Sequence, residues 1–117
     1  MRLGDMAREV GATVLTDPAR TGAEIDRISA GDVISGLLRD ASDSTLIVTN
    51  LAAAQVLRVA ELMDVPGICL VDGRAPGPAL VARADELGTV LMVSPVGMSE
   101  TCERLNECLS PRPRRVR

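Results

Sequence analysis

Three short apolar runs recur at equal spacing in the second half of the chain: Leu46-Ile47-Val48, Ile68-Cys69-Leu70-Val71 and Val90-Leu91-Met92-Val93. Leu46 to Ile68 is 22 positions, and Ile68 to Val90 is 22 again. The stretches between them carry apolar residues at helical spacing. Short apolar runs alternating with helices imply βα units feeding a parallel sheet. Runs apolar at every position, rather than at every second one, imply a sheet covered on both faces. Short connections and right-handed crossovers place consecutive strands side by side. The expected fold is therefore α/β: a three-layer α/β/α sandwich around a mostly parallel, mixed sheet, with antiparallel or edge strands from the first half of the chain.

The remaining elements follow from local signals. Leu3, Met6, Ala7 and Val10 recur at helical spacing and Gly11 follows as a stop, predicting a helix over 3–10. Thr13 to Thr16 reads as a strand, closed by the turn signal Asp17-Pro18. Residues 19–24 read as a surface loop. Arg27-Ile28-Ser29-Ala30 alternates polar and apolar, as a half-buried strand does. Ile34, Leu37, Leu38 and Ala41 predict a short helix with this apolar face inward. Strands follow at 45–49, 68–71 and 89–93. Helices follow at 51–63, capped by Asn50, at about 77–87, stopped by Gly88, and at 98–109. Pro111 and Pro113 prevent continuation of the last one. One domain over 1–109 and a basic, disordered tail over 110–117 are the expected organisation.

Composition narrows the chemistry. The chain has no histidine, no aromatic residue and no lysine; all 13 basic residues are arginine. A Schiff base and a phosphate-loop lysine are thereby excluded. So are a histidine general base and base stacking on aromatic rings. Residues 1–109 carry nine arginines against sixteen acids, a net charge of −7, whereas the tail holds four arginines and no acid. An acidic body repels phosphate backbones, so no nucleic-acid partner is expected. No apolar run of about 18 residues is present, so no membrane span is expected. The first residues lack the apolar core of a signal peptide, and the expected compartment is the cytoplasm. Cys69, Cys102 and Cys108 make no disulfide framework. Cys69 lies inside an apolar strand, and Cys102 and Cys108 stand about 240° apart around one helix, which argues against a shared metal site. No cofactor and no metal are expected.

Two groups of residues could hold a ligand. The carboxyl ends of the parallel strands present Asn50, then Asp72-Gly73-Arg74, then Ser94, each before a helix whose free N–H groups favour an anion. Arg74 could pair with a phosphate or carboxylate. The same residues also serve as ordinary caps and turns: Asn50 as an N-cap and Asp72-Gly73 as a tight turn need no ligand. The second group is Asp26, Arg27, Gly31, Asp32 and Ser35. Gly31 stands between a strand and a helix, where the backbone turns or approaches something closely. Asp32 and Ser35 flank the helix start and could cap it. A plain strand-turn-helix junction accounts for them as well.

This second segment resembles the DRTGG domain family, which is related to the N-terminal domain of HPr kinase/phosphorylase. The likeness lies in Asp26-Arg27, Gly31, Ser35 and Leu37-Leu38. It extends to Met6-Ala7…Val10-Gly11, Val59-Ala60-Glu61-Leu62-Met63-Asp64, Gly73-Arg74-Ala75-Pro76 and Ser94-Pro95, and covers about residues 3–109. The chain departs from the family pattern at Asp32, Val33 and Gly36. It departs again after the third strand, where Leu51-Ala52-Ala53-Ala54 leaves Gln55 as the one polar residue. The resemblance implies an HPr-kinase N-domain-like fold without catalysis of its own: a regulatory or assembly module that self-associates as a dimer and binds a small anionic ligand or nucleotide. A hydrogenase-related or metabolic enzyme is the implied protein partner. Two alternatives stay open. A small transferase-type enzyme would use Asp72, Asp32 and Arg74. A receiver-like signalling domain would use the same sheet edge, although it would need a late lysine.

Overall fold

The computed structural model describes residues 1–51 and 54–109. The expected tail over 110–117, and Ala52 and Ala53 at the expected start of the third helix, lie outside the described residues. Five strands form one sheet in the order β1-β5-β4-β3-β2. They are β1 (Thr13–Val14), β2 (Arg27–Ala30), β3 (Thr45–Thr49), β4 (Gly67–Leu70) and β5 (Val90–Val93). Strands β2 to β5 are mutually parallel, and β1 pairs antiparallel with β5 at the edge. Helices α2 (Ile34–Asp40), α3 (Ala54–Met63) and α4 (Pro78–Leu87) connect successive parallel strands, and α1 (Leu3–Val10) and α5 (Met98–Leu109) begin and end the described chain.

Alternation within the three apolar runs sorts the two faces. Ile47, Ile68 and Leu91 pack in one cluster with Leu37 of α2, Val56 and Ala60 of α3 and Ala84 of α4. Leu46, Val48, Cys69 and Met92 pack in the other, with Leu3 and Met6 of α1 and Leu105 of α5. These are the three layers, and the sheet is mixed and mostly parallel as its spacing predicts. The three crossover helices share one face because the strand order is sequential and each right-handed crossover returns on the same side. The chain starts on the opposite face with α1 and returns to it after β5, where α5 runs back beneath β2 and β3.

Local chemistry explains where the elements stop. Helices α1 and α4 end on Gly11 and Gly88 in the left-handed region, and the Gly88 N–H closes the last turn of α4. A side chain at Gly88 would be strained at φ 76° and would also meet the Arg20 guanidinium, 2.6 Å from its Cβ position. Arg20 belongs to a short 3-10 turn, Pro18–Arg20, that docks on the end of α4; beside it the Asp17 N–H donates to Asp85 Oδ1. This turn cuts the first strand short of its expected end. Leu15 still donates to the Leu91 carbonyl, but Thr16 accepts from the Leu91 N–H through its hydroxyl rather than its backbone.

Two expectations for α2 are corrected. Leu38 faces solvent, because only Leu37 of this helix reaches the core fully and Ile34 lies half-buried beside it. Neither Asp32 nor Ser35 caps the helix: Val33, extended at φ −120° and ψ 121°, occupies the cap position without a side-chain bond. The apolar face is shorter than its spacing suggests, and Ser35 falls inside the first turn.

Candidate functional site

The carboxyl rim of the parallel sheet gathers eight of the ten residues singled out from sequence: Gly31, Asp32, Ser35, Asn50, Asp72, Gly73, Arg74 and Ser94. Asp26 and Arg27 are elsewhere. They stand at the amino end of β2, where Asp26 accepts from the Ser44 hydroxyl at 2.8 Å and faces Arg27 Nε at 3.8 Å. Four strand residues, about 13 Å, separate this pair from the rim. The second group of candidate residues is therefore divided between the two ends of β2.

The rim itself divides into a closed half and an open half. At β4 and β5 the connecting helices leave on opposite faces, the arrangement that opens a crevice in other parallel sheets. Here backbone hydrogen bonds bridge it. Asp72 donates to the Val96 carbonyl at 2.8 Å, Gly73 to the Ser94 carbonyl at 2.8 Å and Ser94 to the Leu70 carbonyl at 2.7 Å. Asp72 and Gly73 both adopt φ 65°, so the tight turn expected there is present, and both of its N–H groups are engaged within the protein. The amino end of α5 faces the protein's own charge as well: Asp72 Oδ1 lies 3.4 Å from the Cβ position of Gly97. A carboxylate beside a helix amino end is favourable in itself and makes that end less attractive to a second anion.

Ser94 cannot contact a ligand. It is fully buried, and its hydroxyl lies 2.8 Å from that of the equally buried Thr101. The pair ties the end of β5 to the first turns of α5. Replacing Ser94 by alanine orphans the Thr101 hydroxyl from this partner and is expected to cost about 1–2 kcal/mol. Urea unfolding monitored by circular dichroism measures it. The double replacement with Thr101→Val is expected to recover part of the loss, since both polar partners are then gone.

The open half lies at β2 and β3. Asp32, Ile34, Leu51 and Gln55 line a cavity of about 320 Å³ there. Gly31 approaches nothing closely, since a Cβ added to it would meet only Leu37 Cδ2 at 3.9 Å. Its N–H extends the ladder onto the Val48 carbonyl. Beside it, Thr49 Oγ1 accepts from the Leu51 N–H at 3.1 Å, while Asn50 stays exposed. The expected N-cap role of Asn50 concerns a helix start that includes Ala52 and Ala53, outside the described residues. Arg74 is exposed and makes no ion pair among the described residues.

Sequence reasoning missed a second opening beyond this rim. Ala54, Gln55 and Arg58 border a cavity of about 360 Å³, and α3 and α4 enclose a groove of about 250 Å³ between Arg58, Glu61 and Arg83. Mid-helix arginines read as solvated charges in sequence. The available signal was a small residue near the start of each helix, Ala54 and Ala79, both exposed on the groove.

The thiols differ from the rim in chemistry. Burial, with Cys102 nearby adding repulsion, pushes the Cys69 thiol from 9.0 up to about 12. Burial also raises Cys102 and Cys108. All three are thus held as neutral thiols near pH 7, unlike the activated thiolates of redox sites. Among the described residues no cluster of acidic and sulfur side chains is arranged to hold a metal ion, and no helix is long and apolar enough to cross a membrane.

No protein-family model matches the sequence, and no curated protein matches it. Among solved structures, the fold is similar to the CBS and DRTGG domains of the regulatory region of Clostridium perfringens pyrophosphatase, in complex with its activator diadenosine tetraphosphate. The TM-score is 0.72 at 10% identity, over 88% of this chain and 45% of that one. The chain thus spans less than half of that neighbour. At this identity the likeness is one of fold, and it agrees with the DRTGG-like architecture expected from sequence.

Proposed function

We propose that this chain is a non-catalytic regulatory module that binds a small anionic ligand or nucleotide at the open half of its carboxyl rim and associates with a second copy of itself. The observation that carries the reading is the cavity lined by Asp32, Ile34, Leu51 and Gln55, at strand ends where parallel sheets commonly receive ligands. The shared fold supports it, since the neighbour is a regulatory region bound to a nucleotide activator. The side chains at this cavity suit binding better than bond-making: one carboxylate, one amide and aliphatic walls. Self-association draws support from Val33, Leu38 and Leu62, which are exposed on the layer formed by the crossover helices. Leu62 is 68% exposed, more than any other large apolar side chain described.

A ligand that binds only the folded form stabilises it, by about 2.7 kcal/mol at a hundred times its Kd. A thermal-shift series with nucleotides and phosphorylated metabolites is therefore expected to raise Tm progressively with concentration. A flat response across the panel would sink the ligand half of the proposal. Sedimentation velocity at increasing protein concentration tests the other half, with a strict monomer as the refuting result.

A further inference from the structure

The cavity at the rim is the first of three neighbouring depressions along the amino end of α3. Gln55 borders both the first and the second, and Ala54 and Arg58 border both the second and the groove between α3 and α4. These shared borders set the three in a row, a track of adjacent depressions from the strand ends to the outer surface of two helices. Its ends differ in chemistry. The inner end has the Asp32 carboxylate and the Gln55 amide between the aliphatic walls of Ile34 and Leu51. The outer end has the Arg58 and Arg83 guanidiniums, with Glu61 between the same helices and Leu80 and Leu87 beneath. Arg58 makes no ion pair among the described residues, and Arg83 meets Glu86 at 3.2 Å in an exposed pair that competes weakly with a ligand.

We infer that this track takes a nucleotide, with its base at Asp32 and Gln55 and its phosphates at Arg58 and Arg83. The inference rests on the ligand-binding reading and specifies it. A carboxylate accepts from the exocyclic amino group of a base, and a primary amide both donates and accepts. Ile34 and Leu51 supply the apolar contact that ring faces need in a chain without aromatic residues. Guanidiniums bind phosphate through two parallel hydrogen bonds. The charge order fixes the direction of binding. Asp32 repels an anion, so the phosphates lie at the outer end. A ligand anionic throughout meets Asp32, and a wholly apolar one leaves two arginines unanswered. Arg58 lies about 5 Å along α3 from Ala54 and Gln55, within the reach of a sugar and one phosphate.

The test is calorimetric titration of the full chain with nucleoside 5′-diphosphates, the matching nucleosides and inorganic pyrophosphate. The diphosphates are expected to bind more tightly than either fragment. Arg58→Gln and Arg83→Gln are each expected to weaken nucleotide binding about tenfold, the scale of a lost charged hydrogen bond. Glu61→Gln is expected to tighten it a few-fold. Asp32→Asn is expected to change the preference among bases and leave pyrophosphate binding unchanged. All four side chains are exposed, so the variants should fold, and circular dichroism checks that they do. Nucleotide binding insensitive to both arginines would overturn the track while leaving a ligand-binding module standing. Absence of binding by every nucleotide would overturn both. An Arg58→Gln variant altered in sedimentation but not in titration would assign the groove to a second copy and also overturn the inference.

Discussion

Raising the pH from 9 to 12 is expected to cost the fold about 4 kcal/mol through Cys69 alone. The chain has no histidine, lysine or tyrosine. Among its side chains, the three thiols are therefore the ones that lose a proton in this range. Cys69 lies fully buried on β4, and burial raises its thiol to about 12. The unfolded chain gives up the same proton at about 9.0. Below both values neither state loses it, and stability is level. Between them the native state keeps a proton that the unfolded state has released, so stability falls by about 1.4 kcal/mol per pH unit. Cys102 and Cys108 are shifted in the same direction and steepen the fall. Urea midpoints measured from pH 8 to 11.5 are expected to drop along this line, and Cys69→Ala is expected to flatten it whatever its effect at pH 8. A native chain with the same slope as the variant would show that Cys69 ionises without unfolding.

The second large effect concerns Gly67, the first residue of β4. It is buried, and a Cβ there would stand 2.9 Å from Leu3 Cδ2, 3.1 Å from Leu3 Cδ1 and 3.3 Å from Leu46 Cδ1. Leu3 and Leu46 are themselves fully buried, so neither has free volume to move into. Leu3 is also fixed from its backbone, because its N–H donates to the Ala23 carbonyl at 2.9 Å. Gly67→Val adds three carbons at this contact. The expected loss is about 3 kcal/mol, the upper part of the range for overpacking. In a chain of this length that lowers Tm by about 10 °C or more. A double-mutant cycle distinguishes crowding from a backbone effect. Combined with Leu3→Ala, Gly67→Val is expected to cost less than the two single changes together. Strict additivity would show that Leu3 is not what the added side chain meets.

Gly67 also marks where sequence reading stops. The equal spacing of three apolar runs placed β3, β4 and β5 side by side, because hydrophobic period and connection length are local properties. The close approach of α1 to β4 is not local: Leu3 and Gly67 are distant in sequence, and no periodicity records their contact. The short first strand has a similar origin. Thr13 to Thr16 has strand character, but Arg20 and Asp17 dock on α4 and turn the chain away after Val14.

The candidate site was legible to the same extent. Turn chemistry located Asp72-Gly73 and Ser94 at the rim, since a strand followed by a helix leaves that signature. That their backbone groups bond to one another, and that Ser94 turns inward to Thr101, depends on the pairing of β4 with β5. Asp26 and Arg27 shared a motif with Gly31 and Asp32, yet an intervening strand carries them to the opposite end of the sheet. Arg58 and Arg83 lie on separate helices, and only the packing of α3 beside α4 makes them neighbours.

The sequential strand order gives the molecule unequal sides. The three crossover helices, the neighbouring cavities and the most exposed leucine described all belong to one side. Leu62 follows Arg58 by four residues and so stands one turn away on the same helix. A second copy that covers Leu62 therefore overlies part of the track a nucleotide would occupy. Two such events at one surface are thermodynamically linked: whatever factor the nucleotide imposes on dimerisation, dimerisation imposes on the nucleotide. If the chain binds and assembles as proposed, a sheet wound in one direction would couple occupancy to assembly without a hinge.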